Sequence, residues 1–314
     1  MSERALKTAI QTLGHTQGLK DGSIAPQSFD FAFEEMPAII QAFRRMVRGL
    51  EFDISEMALT TYLCAKAHGR PLTALPVFLV RAFHHGAILY NTKLGIRSPQ
   101  DLEGKRVGVN RGYTVTTGVW ARSVLQYEYG VNLGKITWML SGDEHVAEYR
   151  PPSNVIALGG GKTLDEMLKA GDIAAAIGVA VDHPDVAPLV PHAEETAFRA
   201  LRTRGYYPIN HTLVVKDTLL NANPELAADI FRSFAEAKRR YVEQLRRGIS
   251  KPTKADQFYR RVMDATGADP LPYGIAPNRH MVEALIQHAG EQGIVSRPFT
   301  VEQLFASSTL DLTD

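Results

Sequence analysis

Between residues 36 and 216 the chain alternates stretches whose apolar residues lie three or four apart with short continuous apolar runs. That alternation constrains its fold more than any other feature. Ile39, Ile40, Phe43, Met46 and Val47, following Met36, make the stripe of an amphipathic helix that should pack on a sheet. Around it the pattern predicts strands at Ala5 to Leu13, Glu51 to Ile54 and Leu75 to Val80, with a helix from about Ala58 to Ala67. Strands and helices in this order argue for parallel βαβ units.

A second set starts near residue 100. Ser98-Pro99 opens a short helix, Lys105 to Val109 reads as a buried strand, and a helix from about Thr114 to Tyr129 stops at Gly130. Lys135 to Leu140 is another strand. Thr163 and Glu166 form a capping box on a helix that Gly171 closes, ahead of the strand Ile173 to Val179. Beyond a strand at Thr212 to Lys216 the chain is mostly helical. One long helix is capped by Asn223, with Pro224 at its first position, and ends at Gly248; another runs from about Arg279 to Gln292. Crossings near Ala87 to Asn91 and Tyr207 to Thr212 divide the chain into a discontinuous lobe 1, residues 1–90 and 212–314, and a lobe 2, residues 91–211. The expected fold is α/β and two-lobed, each lobe a mixed sheet flanked by helices, with two crossover strands as a hinge.

Composition narrows the function. In 314 residues, 35 basic and 34 acidic side chains leave a formal charge of +1, so no global field draws in nucleic acid or anionic lipid, and a small neutral or anionic partner fits better. The single cysteine, Cys64, excludes an intramolecular disulfide framework and a cysteine-based zinc site. The N-terminal residues carry Glu3, Arg4 and Lys7 where a secretory signal would be apolar, and the longest apolar run, Ile173 to Val181, is too short to span a bilayer. A cytoplasmic protein with no membrane partner is expected. Homo-oligomer formation is left open.

Several motifs fail on inspection. Gly159-Gly160-Gly161-Lys162-Thr163 would need glycine at position 156 to be a phosphate loop, and Ile156 stands there. The Gly108 turn has Asn110 where a dinucleotide fingerprint needs its second glycine. What survives is a set of side chains at strand ends, where an open α/β sheet lines its ligand crevice. His15, His84, His85, His183 and His211 follow strands or sit at crossings, and imidazole exchanges protons near neutral pH. Arg81 and Arg111 are placed to fork a carboxylate, and the amides at the helix start around Thr114 to Thr117 offer a second anion site. Asp182-His183-Pro184-Asp185 has metal-ligand residue types, but its spacing does not put them on one face, so no metal is expected there.

Leu102-Glu103-Gly104-Lys105-Arg106-Val107-Gly108-Val109, Thr117-Gly118-Val119-Trp120 and Met167-Leu168-Lys169-Ala170-Gly171-Asp172-Ile173 resemble type II periplasmic solute-binding folds. More specifically, Glu51-Phe52-Asp53-Ile54-Ser55-Glu56, Tyr207-Pro208-Ile209-Asn210-His211 and Pro272-Tyr273-Gly274-Ile275-Ala276-Pro277-Asn278-Arg279 are similar to 4,5-dihydroxyphthalate decarboxylases. The resemblance runs almost end to end. It implies a carboxy-lyase of phthalate catabolism that converts 4,5-dihydroxyphthalate to protocatechuate and carbon dioxide, with no cofactor. On that reading His211, His85 and Glu56 are the catalytic candidates. His15, Arg81, Arg111, Thr116, Thr117, Asp182 and His183 are the substrate-binding ones, for a small aromatic dicarboxylate. The rival reading is a solute-binding protein that captures an aromatic carboxylate without chemistry. A third is an enzyme acting on another hydroxylated benzoate.

Overall fold

A computed structural model describes residues 5–314. Its strands, in chain order, are β1 (Ala5–Ala9), β2 (Asp30–Phe33), β3 (Ile54–Ala58), β4 (Leu72–Arg81), β5 (Ile88–Asn91), β6 (Arg106–Val109), β7 (Thr137–Leu140), β8 (Val155–Ala157), β9 (Ala175–Ile177), β10 (Val186–Pro188) and β11 (Ile209–Lys216). The chain divides into two units. The first holds the residues up to Arg81, Ile209–Ala284 and Phe299–Asp314, and the second holds Ala82–Pro208 and Leu285–Pro298. Against the expected lobes, the first two boundaries fall at 81/82 and 208/209 instead of 90/91 and 211/212. Residues 285–298, expected in lobe 1, lie in the second unit. The third boundary falls inside the helix Arg279–Glu291, and no change of hydropathy marks it.

In the first unit the sheet order is β2-β1-β3-β11-β4, with β1 parallel to β2 and β3, and β11 antiparallel to β3 and β4. The long helix Leu226–Arg247 buries Ile230, Phe231 and Phe234 in one core with Leu6, Ile54, Leu75, Val77, Leu213 and Val215 of the sheet. Burying each such side chain contributes roughly 1.5–3 kcal/mol. In the second unit the order is β10-β5-β9-β6-β7-β8, parallel from β9 through β8 and antiparallel at β5 and β10. There the helix Leu164–Ala170 packs Leu164, Met167 and Leu168 with Met139, Ile173 and Ala176. Both sheets are mixed, as expected: the return strand β11 is the antiparallel member of the first, and β5 and β10 are those of the second.

The helix stops hold as expected: Gly130 and Gly171 take the left-handed conformation at φ 66° and 78°. Several boundaries move: β1 ends at Ala9 instead of Leu13, β4 begins at Leu72 and β9 narrows to Ala175–Ile177. β3 runs from Ile54, where the expected strand ended, and Asp53 ahead of it still bonds both neighbours, its N–H to Lys7 O and its carbonyl from Lys216 N. β11 starts at Ile209, three residues ahead of the expected strand, so His211 lies inside the sheet. The long helix starts at Leu226 instead of behind an Asn223 cap, since the Asn223 amide donates to Leu219 O and closes the preceding helix Asp217–Ala222. Elements outside the sequence reading include β2, β8, β10 and the helices Ala193–Arg204 and Lys254–Thr266, the last with its Thr253/Asp256 capping box. Among the described residues no helix is long and apolar enough to cross a membrane.

Candidate active site

The arrangement best suited to proton transfer is built on β3 and β11 of the first unit. Their antiparallel register sets Leu213 opposite Glu56 and His211 opposite Ala58, so Glu56 and His211 are diagonal neighbours on one face. His211 Nδ1 lies 2.6 Å from Glu56 Oε1. The pairing of β11 with β4 slips on both sides of His211, and such irregularities re-aim a side chain out of a regular ladder. The ring packs edge-on against Phe43, with centroids 5.0 Å apart.

Glu56 is fully buried, His211 19% exposed. The carboxylate is the hidden member of the pair and the imidazole the accessible one. Burial pushes the Glu56 carboxyl up, but the hydrogen bond and charge of His211, with two donors from Gln11, outweigh it and hold the group below its ordinary value. Those donors are the Gln11 backbone N–H to Oε2 (2.9 Å) and Nε2 to Oε1 (2.7 Å). An ionised Glu56 accepts only, so the Nδ1 of His211 carries the proton of the shared bond. The ring's remaining nitrogen, Nε2, is then the group that can give or take a proton elsewhere. The sequence reading places Glu56 after a strand and leaves its role open between a substrate hydroxyl and a histidine; the structure sets it mid-strand, on the histidine.

The other candidates of this unit lie nearby in the fold but differ in character. His15 is buried, with Nε2 on Leu79 O at 3.0 Å, which makes Nε2 the donor, and its Nδ1 has no hydrogen-bond partner. Burial pushes this imidazole down to about 4, against the pull of the Leu79 carbonyl and Glu56. Gly14 beside it approaches Tyr241 so closely that a Cβ would sit 2.2 Å from the ring. A cavity of about 240 Å³ is lined by Leu13, His15, Tyr241, Asp256 and Tyr259, among others. Arg81 is buried at the end of β4 and donates to the Asn278 amide oxygen, whose own NH₂ is spent on Pro272 O and Gly274 O.

In the second unit, His85 is fully buried, with Nε2 3.1 Å from the Glu128 carboxylate, which also accepts from Arg204 at 2.7 Å. Its Nδ1 is buried without a partner, so this ring has no exposed face for a ligand. Arg111 is exposed at φ 71°, its backbone N–H donating to Ser141 Oγ. The helix itself starts at Thr116, with Thr116 buried and Thr117 half-buried. Part of the expected anion site ahead of it is already filled, because Glu144 accepts from Tyr113 N, Thr114 N and the Thr114 hydroxyl. Gly112 permits that approach: a Cβ there would lie 2.6 Å from Glu144 Oε2. Asp182 is exposed, and His183 Nδ1 accepts from Asp185 N within its own turn. Among the described residues no group of three or more His, Cys, Asp or Glu side chains is arranged to hold a metal ion.

No family model matches the chain. Its sequence is 30% identical to the 4,5-dihydroxyphthalate decarboxylase of Comamonas testosteroni, over 99% of this chain and 99% of that protein. The chain belongs to the 4,5-dihydroxyphthalate decarboxylase family. A Pseudomonas putida protein of the same name is 32% identical over 57% of this chain and 71% of its own length. The periplasmic aliphatic sulphonate binding protein SsuA of Escherichia coli superposes with a TM-score of 0.52 at 15% identity, covering 99% of this chain and 100% of that one. The fold is therefore that of the periplasmic binding proteins, as the sequence resemblance implies, on a chain whose full-length relative is an enzyme.

For this family member, the residues that sequence reasoning overlooked are partners of those it named. Gln11 lies two residues beyond the end of β1, a position the strand-end rule covers, but an amide carries no titration signal of its own. Glu128, Asn278 and Glu144 lie 43, 197 and 30 residues from the groups they hold, and no local pattern announces such pairs.

Proposed function

We propose that this chain removes one carboxylate from a hydroxylated aromatic dicarboxylate, 4,5-dihydroxyphthalate, releasing protocatechuate and carbon dioxide in phthalate catabolism, with His211 as the proton donor. Each carboxylate of that substrate has a hydroxyl para to it, so the ring can push electron density from oxygen onto the carbon bearing the carboxylate. His211 Nε2 gives a proton to that carbon as the phenolic oxygen stabilises the dearomatised ring. The carbon–carboxylate bond then breaks, its electron pair restores aromaticity, and carbon dioxide leaves. One proton is consumed and no electrons are exchanged with any outside group. Glu56 holds the ring by Nδ1, aims Nε2, and balances the charge of the imidazolium that donates.

The observation that carries this reading is the 2.6 Å contact between a buried carboxylate and a partly exposed imidazole on adjacent strands. A protein that only captures its ligand has no need of a proton donor backed by a carboxylate. The test is to incubate the purified protein with 4,5-dihydroxyphthalate and follow protocatechuate by absorbance and carbon dioxide by trapping. Equal amounts of both are expected. Saturable binding of the dicarboxylate with neither product would establish the solute-binding alternative instead.

A further inference from the structure

The end of β1 leads into a turn whose geometry serves one carboxylate. β1 and β3 run parallel with Ala9 beside Ser55, so the chain just past β1 passes alongside Glu56. The Thr16 hydroxyl, buried, donates to Gln11 O at 2.8 Å and accepts from Leu13 N at 2.8 Å, which pins the turn from both sides. Gln11 then meets Glu56 twice, by backbone N–H and by side-chain amide, one donor on each oxygen. With His211 on Oε1 as well, both carboxylate oxygens are engaged and the carboxyl plane has one orientation.

We infer that Gln11 is a positioning residue for the proton donor: it locks the Glu56 carboxylate so that Glu56 in turn holds His211 with its proton on Nδ1 and its Nε2 turned to the substrate. This rests on the proposed role of His211. The Gln11 backbone N–H on Oε2 and the His211 ring on Oε1 already set the carboxyl plane, but Oε1 would then be tied only to the ring it has to hold. The Gln11 amide ties Oε1 independently of the ring, so the carboxylate keeps its place whatever the ring does, and it adds a second Gln11 donor that favours the ionised form. Glu56 is also sensed electrostatically by His15, Tyr259 and Tyr273; of these His15 is uncharged above about pH 4 and both tyrosines are pushed up, so His211 and Gln11 are its principal stabilisers.

The variant Gln11→Leu keeps the backbone bond and deletes the amide. Two readouts are taken. In the ligand-free protein, ¹⁵N chemical shifts of the His211 ring report its tautomer: a single Nδ1–H form is expected in the wild type and a mixture in Gln11→Leu. In turnover, kcat should fall about tenfold with KM within about twofold, and the acid limb of the kcat profile should move up by about one pH unit as Glu56 protonates more easily. An unchanged tautomer and acid limb would overturn the inference, even if stability or kcat declined, because a purely structural residue would do that. Gln11→Ser gives the same readouts if Gln11→Leu does not fold. The tautomer measurement needs no turnover, so a protein that binds without reacting would sink the decarboxylase reading while leaving the role of Gln11 separately decided.

Discussion

His211 and Glu56 pair an accessible ring with a buried carboxylate, and single substitutions should separate the parts proposed for them. His211→Asn removes the transferable proton but keeps a polar side chain. Turnover of the dicarboxylate should fall at least about a hundredfold while its dissociation constant, read by calorimetry, stays nearly unchanged. If more than a tenth of wild-type turnover survives, the proton comes from another group. Glu56→Gln keeps the shape but loses the charge, leaving a neutral amide at a 2.6 Å contact meant for a carboxylate. It should lower kcat with little change in KM. It should also blunt the loss of stability in acid, which the wild type suffers as pH falls through the lowered Glu56 value, since the carboxylate stabilises the fold only while ionised.

At the scale of elements, the sheet of the first unit depends on the helix Leu226–Arg247 for its cover. Phe234 is fully buried in that contact, so Phe234→Ala should cost about 3 to 5 kcal/mol in denaturant unfolding. Caps contribute less. Thr163 accepts from Glu166 N at 3.2 Å as the N-cap of Leu164–Ala170, and Thr163→Ala should cost about 1 kcal/mol, measured the same way. The cap and the glycine stops were legible because their signals span three or four residues. β2 was not, because at the sheet edge it leaves Asp30 and Ala32 exposed and makes no continuous apolar run, and the shift of β11 was not, because strand ends depend on which neighbour they pair with. That shift matters: it converts His211 from a residue beside a strand into one held by a bulged strand.

For the whole molecule the consequence lies in acid. His15 in the first unit and His288 in the second are both pushed down to about 4 by burial. In the unfolded chain these rings take up protons below their ordinary value near 6.5, while in the fold they stay neutral until about 4. Each therefore stabilises the native state above pH 6.5 and loses that contribution as pH falls toward 4, by about 3 kcal/mol at most. Denaturant unfolding at pH 7, 5.5 and 4.5 should show a steep decline. A flat profile would mean that the rings protonate within the fold.

What the sequence determined by itself was everything encoded within a few residues of its neighbours: the α/β alternation, the helix stops, and, through the Tyr207 to His211 and Glu51 to Glu56 stretches, the family. It also put forward His211 and Glu56 as candidates. Only the tertiary structure decided that these two, 155 residues apart, share a hydrogen bond, that Gln11 closes the other side of the carboxylate, that His85 is spent on Glu128, and that Glu144 fills amides expected to await a ligand. The physical reason is range: propensity and capping act along the chain, whereas partners are chosen by strand register and burial, which exist only once distant segments have been brought side by side.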